Sequence, residues 1–234
     1  MIQSQIFQII KMIEINSISK KYGTKIVLRN ISFQADRGEC IVIVGKNGCG
    51  KTTLMQILAG VMKPDEGEIR YLGQEILHKS KGFHKYCGYV PQENPLMEEL
   101  SVKDNLKLWG VTKSKQYEQI LDSFQLREIL RTKVEKLSGG MKRRVAIACA
   151  LGEWPPILLL DEPTTALDIF YKESIEEWLK EYNRMNGIVI MTTHDESEIL
   201  KADRCLVMKE GELIELSKED ISMENIRKYI RGSV

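Results

Sequence analysis

No stretch of apolar residues in this sequence is long enough to cross a bilayer, which takes about 20 residues in helical form. If the protein works at a membrane, another chain must do the crossing. The sequence also lacks a Cys-x-x-Cys pair: Cys40, Cys49, Cys87, Cys149 and Cys205 are scattered. With no secretory signal ahead of them, the expected state is reduced thiols in the cytosol and not a disulfide framework. Excess charge of either sign is missing as well. Lys and Arg number 34 against 33 Asp and Glu, a net charge of +1. A nucleic-acid partner normally asks for a basic face, so none is expected. Internal repeats and low-complexity linkers are absent too, so the count is one domain.

What is present is ordinary for a globular chain: 43% hydrophobic and 29% charged residues. At 234 residues there is material for one sizeable core, or one α/β core with a small inserted lobe. Residues 1–12 read as an N-terminal extension without an assigned role. Ile13–Ser19 alternates apolar and polar residues as an edge strand would, and Val27–Ala35 repeats the pattern. Cys40–Val44 is a short continuous apolar run typical of a buried strand. Lys51–Ala59 follows at helical spacing and Gly60 stops it. Pro64–Gly67 reads as a turn leading to a strand over Glu68–Leu72. Residues 93–136 carry many charges at helical period and no strong strand signal, the mark of an inserted helical lobe extending to about residue 150. Buried-strand signals return at Ile157–Leu160, Ile188–Thr192 and Arg204–Met208, with a helix over Ile169–Tyr182 and a hairpin at Glu210-Gly211 into Glu212–Leu216. Strand–helix alternation predicts a largely parallel α/β sheet with a β-rich N-terminal edge. A domain over 13–216 and a short amphipathic helix in the tail, 217–234, complete the reading. His78 and His84 lack partners at ligand spacing, and Trp109, Trp154 and Trp178 read as packing residues.

The chemistry begins at Gly45-Lys46-Asn47-Gly48-Cys49-Gly50-Lys51-Thr52, a match to the Gly-x-x-x-x-Gly-Lys-[Ser/Thr] phosphate loop. Glycines let backbone N–H groups curl around phosphates, and the helix that follows points its positive end at them. Lys51 is placed to reach the β- and γ-phosphates, Thr52 to ligate Mg²⁺, and Thr53 to add a hydroxyl. Cys49 reads as loop filler. Asp161 and Glu162 end an apolar strand, where ligands sit in open α/β sheets, and an Asp there can hold the Mg²⁺ shell. Ser138-Gly139-Gly140 opens a helix with a serine cap and free N–H groups, an anion site in principle. On its own that segment would be an ordinary capped helix.

Taken together, Gly45–Thr52, Leu137-Ser138-Gly139-Gly140-Met141 and Ile157–Glu162 resemble the ATP-binding cassette family over about Ile13 to Leu216. The resemblance implies a P-loop ATPase core, with ATP and Mg²⁺ bound. It also implies that Ser138, Gly139 and Gly140 meet nucleotide held by a second copy of the chain, so that a homodimer forms on ATP. It assigns water polarisation to Glu162, a Mg²⁺ and water contact to Gln92, and a γ-phosphate contact to His194. Asp168 would communicate across the dimer, although the usual proline after it is replaced by Ile169. Tyr22 would stack on the adenine, a contact worth about 1–3 kcal/mol for any base; packing of Tyr22 on the sheet is the alternative. Met141 followed by Lys142, Arg143 and Arg144 resembles the separately encoded exporter branch. The implied partner is an integral membrane permease that docks a short helix near the loop after Gln92. The chain itself would lie on the cytoplasmic face of the cell membrane.

Other roles are less compatible with the residues. A DNA-repair or chromosome-structure ATPase of the same superfamily needs a long coiled coil, and residues 93–136 sustain no heptads. Translation-linked members normally carry two cassettes. A guanine-nucleotide switch needs an Asn-Lys-x-Asp motif, which is missing. A regulatory module that senses ATP without hydrolysing it stays open, and it would predict loss of Glu162 or His194; both are present.

Overall fold

The computed structural model describes residues 12–75, 85–165 and 167–231. His78, His84 and residues 1–11 lie outside the described residues. Among the described residues ten strands run in chain order: β1 (Ile13–Tyr22), β2 (Lys25–Ala35), β3 (Cys40–Gly45), β4 (Glu66–Tyr71), β5 (Gln74–Glu75), β6 (Cys87–Val90), β7 (Ile157–Asp161), β8 (Ile188–Thr192), β9 (Arg204–Lys209) and β10 (Glu212–Leu216). They form two sheets. The first is antiparallel in the order β2-β1-β4-β5; the second runs β10-β9-β3-β8-β7-β6. In the second sheet β3 pairs in parallel with β8 and β9, β7 with β8, and β6 with β7, while β10 closes it antiparallel to β9. The α/β expectation holds, but the β-rich N-terminal part is a sheet of its own and not the edge of the parallel one.

Alternation along β1 was a poor guide to edge position. β1 pairs with β2 on one side and β4 on the other, so β2 is the edge. Alternation reports that one face of a strand is wet; it says nothing about whether both backbone rims are bonded. Ile13, Ile15 and Ile18 are fully buried, and the shift of phase between the last two coincides with a register break at Ser17, where φ is +56°. Gly67 belongs to β4 and not to a preceding turn. With φ +94°, it lies so close to β1 that a Cβ would sit 2.5 Å from the carbonyl oxygens of Asn16 and Ser17. Only glycine fits there.

The helices are α1 (Lys51–Leu58), α2 (Val102–Leu108), α3 (Tyr117–Ser123), α4 (Gly139–Ala150), α5 (Ile169–Arg184), α6 (Glu196–Lys201) and α7 (Met223–Arg231). Successive residues of β3 point to opposite faces of the second sheet. Ile41 and Ile43 pack with Leu54, Met55 and Leu58 of α1 and with the first sheet. Val42 and Val44 face the other side, in one core with Val145 and Ile147 of α4 and Ile175 and Leu179 of α5. That core runs on without a break into Val102, Leu106, Ile120 and Phe124, so the 93–138 segment shares the main core. Its helices are short, joined by 3-10 turns at Val111–Lys113, Arg127–Ile129 and Val134–Lys136. Trp178 is buried and stacks on Tyr182 at 5.3 Å, with Trp154 edge-on at 6.3 Å. Trp109 departs from the packing role, at 48% exposed. In α7, Ile226 is buried and Tyr229 and Ile230 lean on the core. No helix among the described residues is long and apolar enough to cross a membrane.

Candidate functional site

β3 delivers the chain to the phosphate loop, and α1 leaves it. Gly50 caps α1 in the left-handed region at φ +114°, with no side chain bonded to the first-turn amides. Those N–H groups therefore face outward as donors. The loop is pressed against β2: a Cβ on Gly50 would lie 2.9 Å from the Val27 carbonyl oxygen. Lys51, 6% exposed, donates through Nζ to the Gly45 carbonyl at 2.8 Å and the Lys46 carbonyl at 3.3 Å. Among the described residues no carboxylate pairs with it. A buried ammonium with no carboxylate paired to it is the charge arrangement that an anion would complete.

The far wall comes from the ends of three parallel strands. Asp161 ends β7 and is 1% exposed; its Oδ1 accepts from Thr192 Oγ1 at 2.5 Å, while Oδ2 has no hydrogen-bond partner. An orphaned buried carboxylate oxygen fits a hard cation. Mg²⁺ characteristically takes one or two protein carboxylates or hydroxyls together with phosphate oxygens, so Asp161 and Thr52 are the residues that would hold it. Glu162 stands at φ +51°, an uncommon backbone state outside glycine. Its N–H donates to the Thr192 carbonyl at 3.1 Å and to Thr192 Oγ1 at 3.0 Å. Its carboxylate Oε2 accepts from Gln92 Nε2 at 3.1 Å and from Thr165 Oγ1 at 3.2 Å. His194 Nε2 lies 3.6 Å from Glu162 Oε1 and 3.4 Å from Lys51 Nζ.

These groups converge on a cleft of about 690 Å³, lined among others by Tyr22, Asn47, Gly48, Thr53, Gln92 and His194. Tyr22 is half exposed at its rim, with Oη 3.1 Å from Met62 Sδ. Asp161 is not part of the lining. Neither is Ser138, Gly139 or Gly140. Ser138 caps α4 by accepting from the Met141 amide at 3.3 Å. Both Ser138 and Gly139 are exposed, and nothing stands within 4 Å of where a Gly139 Cβ would be. Asp168 caps α5, accepting from the Tyr171 amide at 3.1 Å. The ring of Tyr171 covers Gly140 and lies beneath Arg144, 4.5 Å from the guanidinium carbon. Ile169, in the place of the usual proline, is the first residue of α5.

A family described as ABC transporter matches residues 28–165 of the chain. The chain belongs to that family. Among curated ABC relatives, the Nod factor export ATP-binding protein I of Sinorhizobium fredii is 36% identical over 211 residues, 86% of this chain and 61% of that protein. The spermidine/putrescine import ATP-binding protein PotA of Mycoplasma capricolum is 35% identical over 233 residues, 95% of this chain and 66% of that protein. The chain therefore spans somewhat less than two thirds of either. Linearmycin resistance ATP-binding protein LnrL of Bacillus subtilis is 34% identical over 90% of this chain. Among solved structures, the dimeric post-hydrolysis state of the ATP-binding cassette MJ0796 bound to ADP and Pi superposes with a TM-score of 0.81 at 29% identity, covering 88% of this chain and 99% of that one. The fold is that of an ABC ATPase cassette.

Two side chains to which the sequence assigns no part in the cleft support this ABC site from behind. Glu198 of α6, 6% exposed, accepts from Thr164 Oγ1 at 2.9 Å and from Thr193 Oγ1. It thereby ties the segment after Glu162 to the segment before His194, and burial pushes its carboxyl above the usual range. Arg143 of α4 donates to three backbone carbonyls at the strand ends. Glu198 sits in no spacing motif, and the sequence offers Arg143 only as one of three basic residues after Met141; no local pattern announces the carbonyls that it bonds.

Proposed function

We propose that this chain binds and hydrolyses ATP with Mg²⁺, dimerises on ATP, and powers transport through a separate membrane-spanning permease. One observation carries the reading. The cleft gathers the phosphate loop, Gln92, Glu162 and His194, while Ser138 and Gly139 stand outside it, exposed and with open space over Gly139. A segment built to receive an anion, on a chain that already has a phosphate loop, is half of a site that a second copy completes.

In that assembly Lys51, Thr53 and the amides of the loop hold the phosphates, and Tyr22 covers the base. Bound Mg²⁺ would screen phosphate charge and polarise the γ-phosphoryl group. Glu162 orients and deprotonates the attacking water, assistance typically worth about 10²–10⁴-fold in rate. His194 bridges between Glu162 and Lys51 and faces the γ-phosphate. Gln92 reads the state of Glu162 and joins the segment that leads to the permease. Beside that segment runs a groove of about 750 Å³, lined by Val61, Tyr89, Pro95, Leu108, Trp109 and Glu153 among others. An apolar groove with an exposed tryptophan suits a short helix from a partner. The chain would then work peripherally, on the cytoplasmic face of the membrane.

Export is the proposed direction, on the strength of Met141 and the three basic residues after it. Relatives of similar identity carry export and import in their names, so direction needs its own measurement: ATP-driven uptake into inverted vesicles from source cells would mark export. For the core reading, Glu162→Gln should abolish turnover and elute as an ATP-dependent dimer on size exclusion. A mutant that stays monomeric with ATP overturns the shared-site proposal.

A further inference from the structure

The parallel pairing of β6 with β7 ends at Val90 opposite Leu160. Beyond that point the two strand ends carry Gln92 and Glu162 with no ladder between them, and Pro91 could not donate to one. Besides the Gln92–Glu162 side-chain bond, the two backbones are tied by one side chain from α4. Arg143 donates through Nη1 to the Pro91 carbonyl at 2.5 Å, through Nη2 to the Asp161 carbonyl at 2.7 Å, and through Nε to the Pro163 carbonyl at 3.0 Å. Pro91 precedes Gln92; Asp161 and Pro163 flank Glu162. A planar guanidinium is suited to this task, because its donors leave a rigid fork in fixed directions. Glu162 also needs support, since its positive φ persists only where the surroundings hold it.

Arg143 lies three residues after Gly140, in the helix that Ser138 caps. A small concavity of about 370 Å³ runs between the two regions, lined by Gln92, Gly139, Lys142, Arg143, Glu162 and Thr165 among others. We infer that Arg143 is a positioning residue that makes the Gln92–Glu162 geometry depend on the seating of α4. Resting on the dimeric reading above, this means that nucleotide held by one protomer, in engaging Ser138–Gly140 of the other, aligns the second protomer's own Glu162. The two ATP sites are coupled through a guanidinium that touches neither nucleotide. Burial lowers the Arg143 pKa to about 10, which leaves it charged and fully donating at neutral pH.

The test uses Arg143→Lys, which keeps the charge and loses the fork, and Arg143→Gln as a second, uncharged variant. Turnover at saturating ATP should fall about 10- to 100-fold, the scale of a small misplacement in an active site, while ATP affinity of the monomer stays within about twofold. Hydrogen exchange should rise in segments 90–95 and 161–165 and stay unchanged in α1. In the Glu162→Gln background, Arg143→Lys should still give the ATP-dependent dimer. Wild-type turnover in both variants, or exchange that rises only in α4, overturns the inference while leaving the ATPase reading intact. A wild-type chain that does not hydrolyse ATP defeats that reading first.

Discussion

The ring of Tyr171 lies against Gly140, so that a methyl group added to Gly140 would meet its Cδ2 at 2.7 Å. The same residue's amide donates to Asp168. Tyr171 therefore joins the start of α5 to the start of α4 inside one chain. Gly140→Ala should force the ring or the helix to move and cost ATPase activity. Tyr171→Ala should remove the obstacle, so the double variant should be more active than Gly140→Ala alone. A coupling of about 0.5–3 kcal/mol is the usual range for touching residues. Steady-state ATPase on the four proteins of the cycle measures it, and strict additivity would mean that the ring yields freely.

Much of this arrangement could be read in the residues beforehand, and the reason is physical. Ile157–Leu160, Ile188–Met191 and Cys205–Met208 are buried on both faces of a parallel sheet, so they appear as unbroken apolar runs of strand length. The phosphate loop is legible because backbone curvature demands glycine at set positions. Other features had no local signature. The short β6 was hidden because Cys87, Gly88, Tyr89 and Val90 make too brief a run. Trp109 read as core because large aromatics usually are, yet it stands at the mouth of a groove. Arg143 and Glu198 act across 18 to 52 and 5 to 34 positions of sequence respectively. Only the fold brings their partners together.

Ser138 separates binding from chemistry. Its side chain is exposed and does not line the cleft, so Ser138→Arg should leave nucleotide affinity of the isolated chain within about twofold. ATPase activity should fall steeply, because an arginine would occupy the space that a second protomer's phosphates need. Equilibrium titration with a fluorescent ATP analogue, at protein concentrations too low for dimers, gives the first quantity. Loss of affinity there would place the segment in the chain's own site.

Trp109 and Leu108 offer apolar surface at the groove beside Gln92, exposed by 48% and 59%. Buried tryptophans at interfaces are often worth about 2 kcal/mol or more. Trp109→Glu should therefore release a tagged chain from the membrane fraction of its source cells into the soluble fraction. Its ATPase activity when purified alone should change little, since the groove contributes nothing to the cleft. Unchanged membrane association would remove this groove from the permease contact.

The acid limb of stability should depend on Asp195, the residue after His194. Its carboxylate caps α6, accepting from Lys172 Nζ at 2.7 Å and from the Ser197 amide at 2.9 Å. The bond from Lys172, helped by those from Ser197 and opposed by burial, holds its pKa at about 2, against 3.8 for the free group. A carboxyl with a depressed folded pKa binds protons more readily in the unfolded chain. Its contribution is thus complete above about pH 5 and disappears as pH falls through 3.8 toward 2. Both partners keep partial solvent contact, so the contribution is about 1 kcal/mol or less. Lys172→Met should lower the urea midpoint at pH 7, and the gap from wild type should close as the acid is titrated. A gap that stays constant down to about pH 2.5 would mean that Lys172 acts by packing and not by charge.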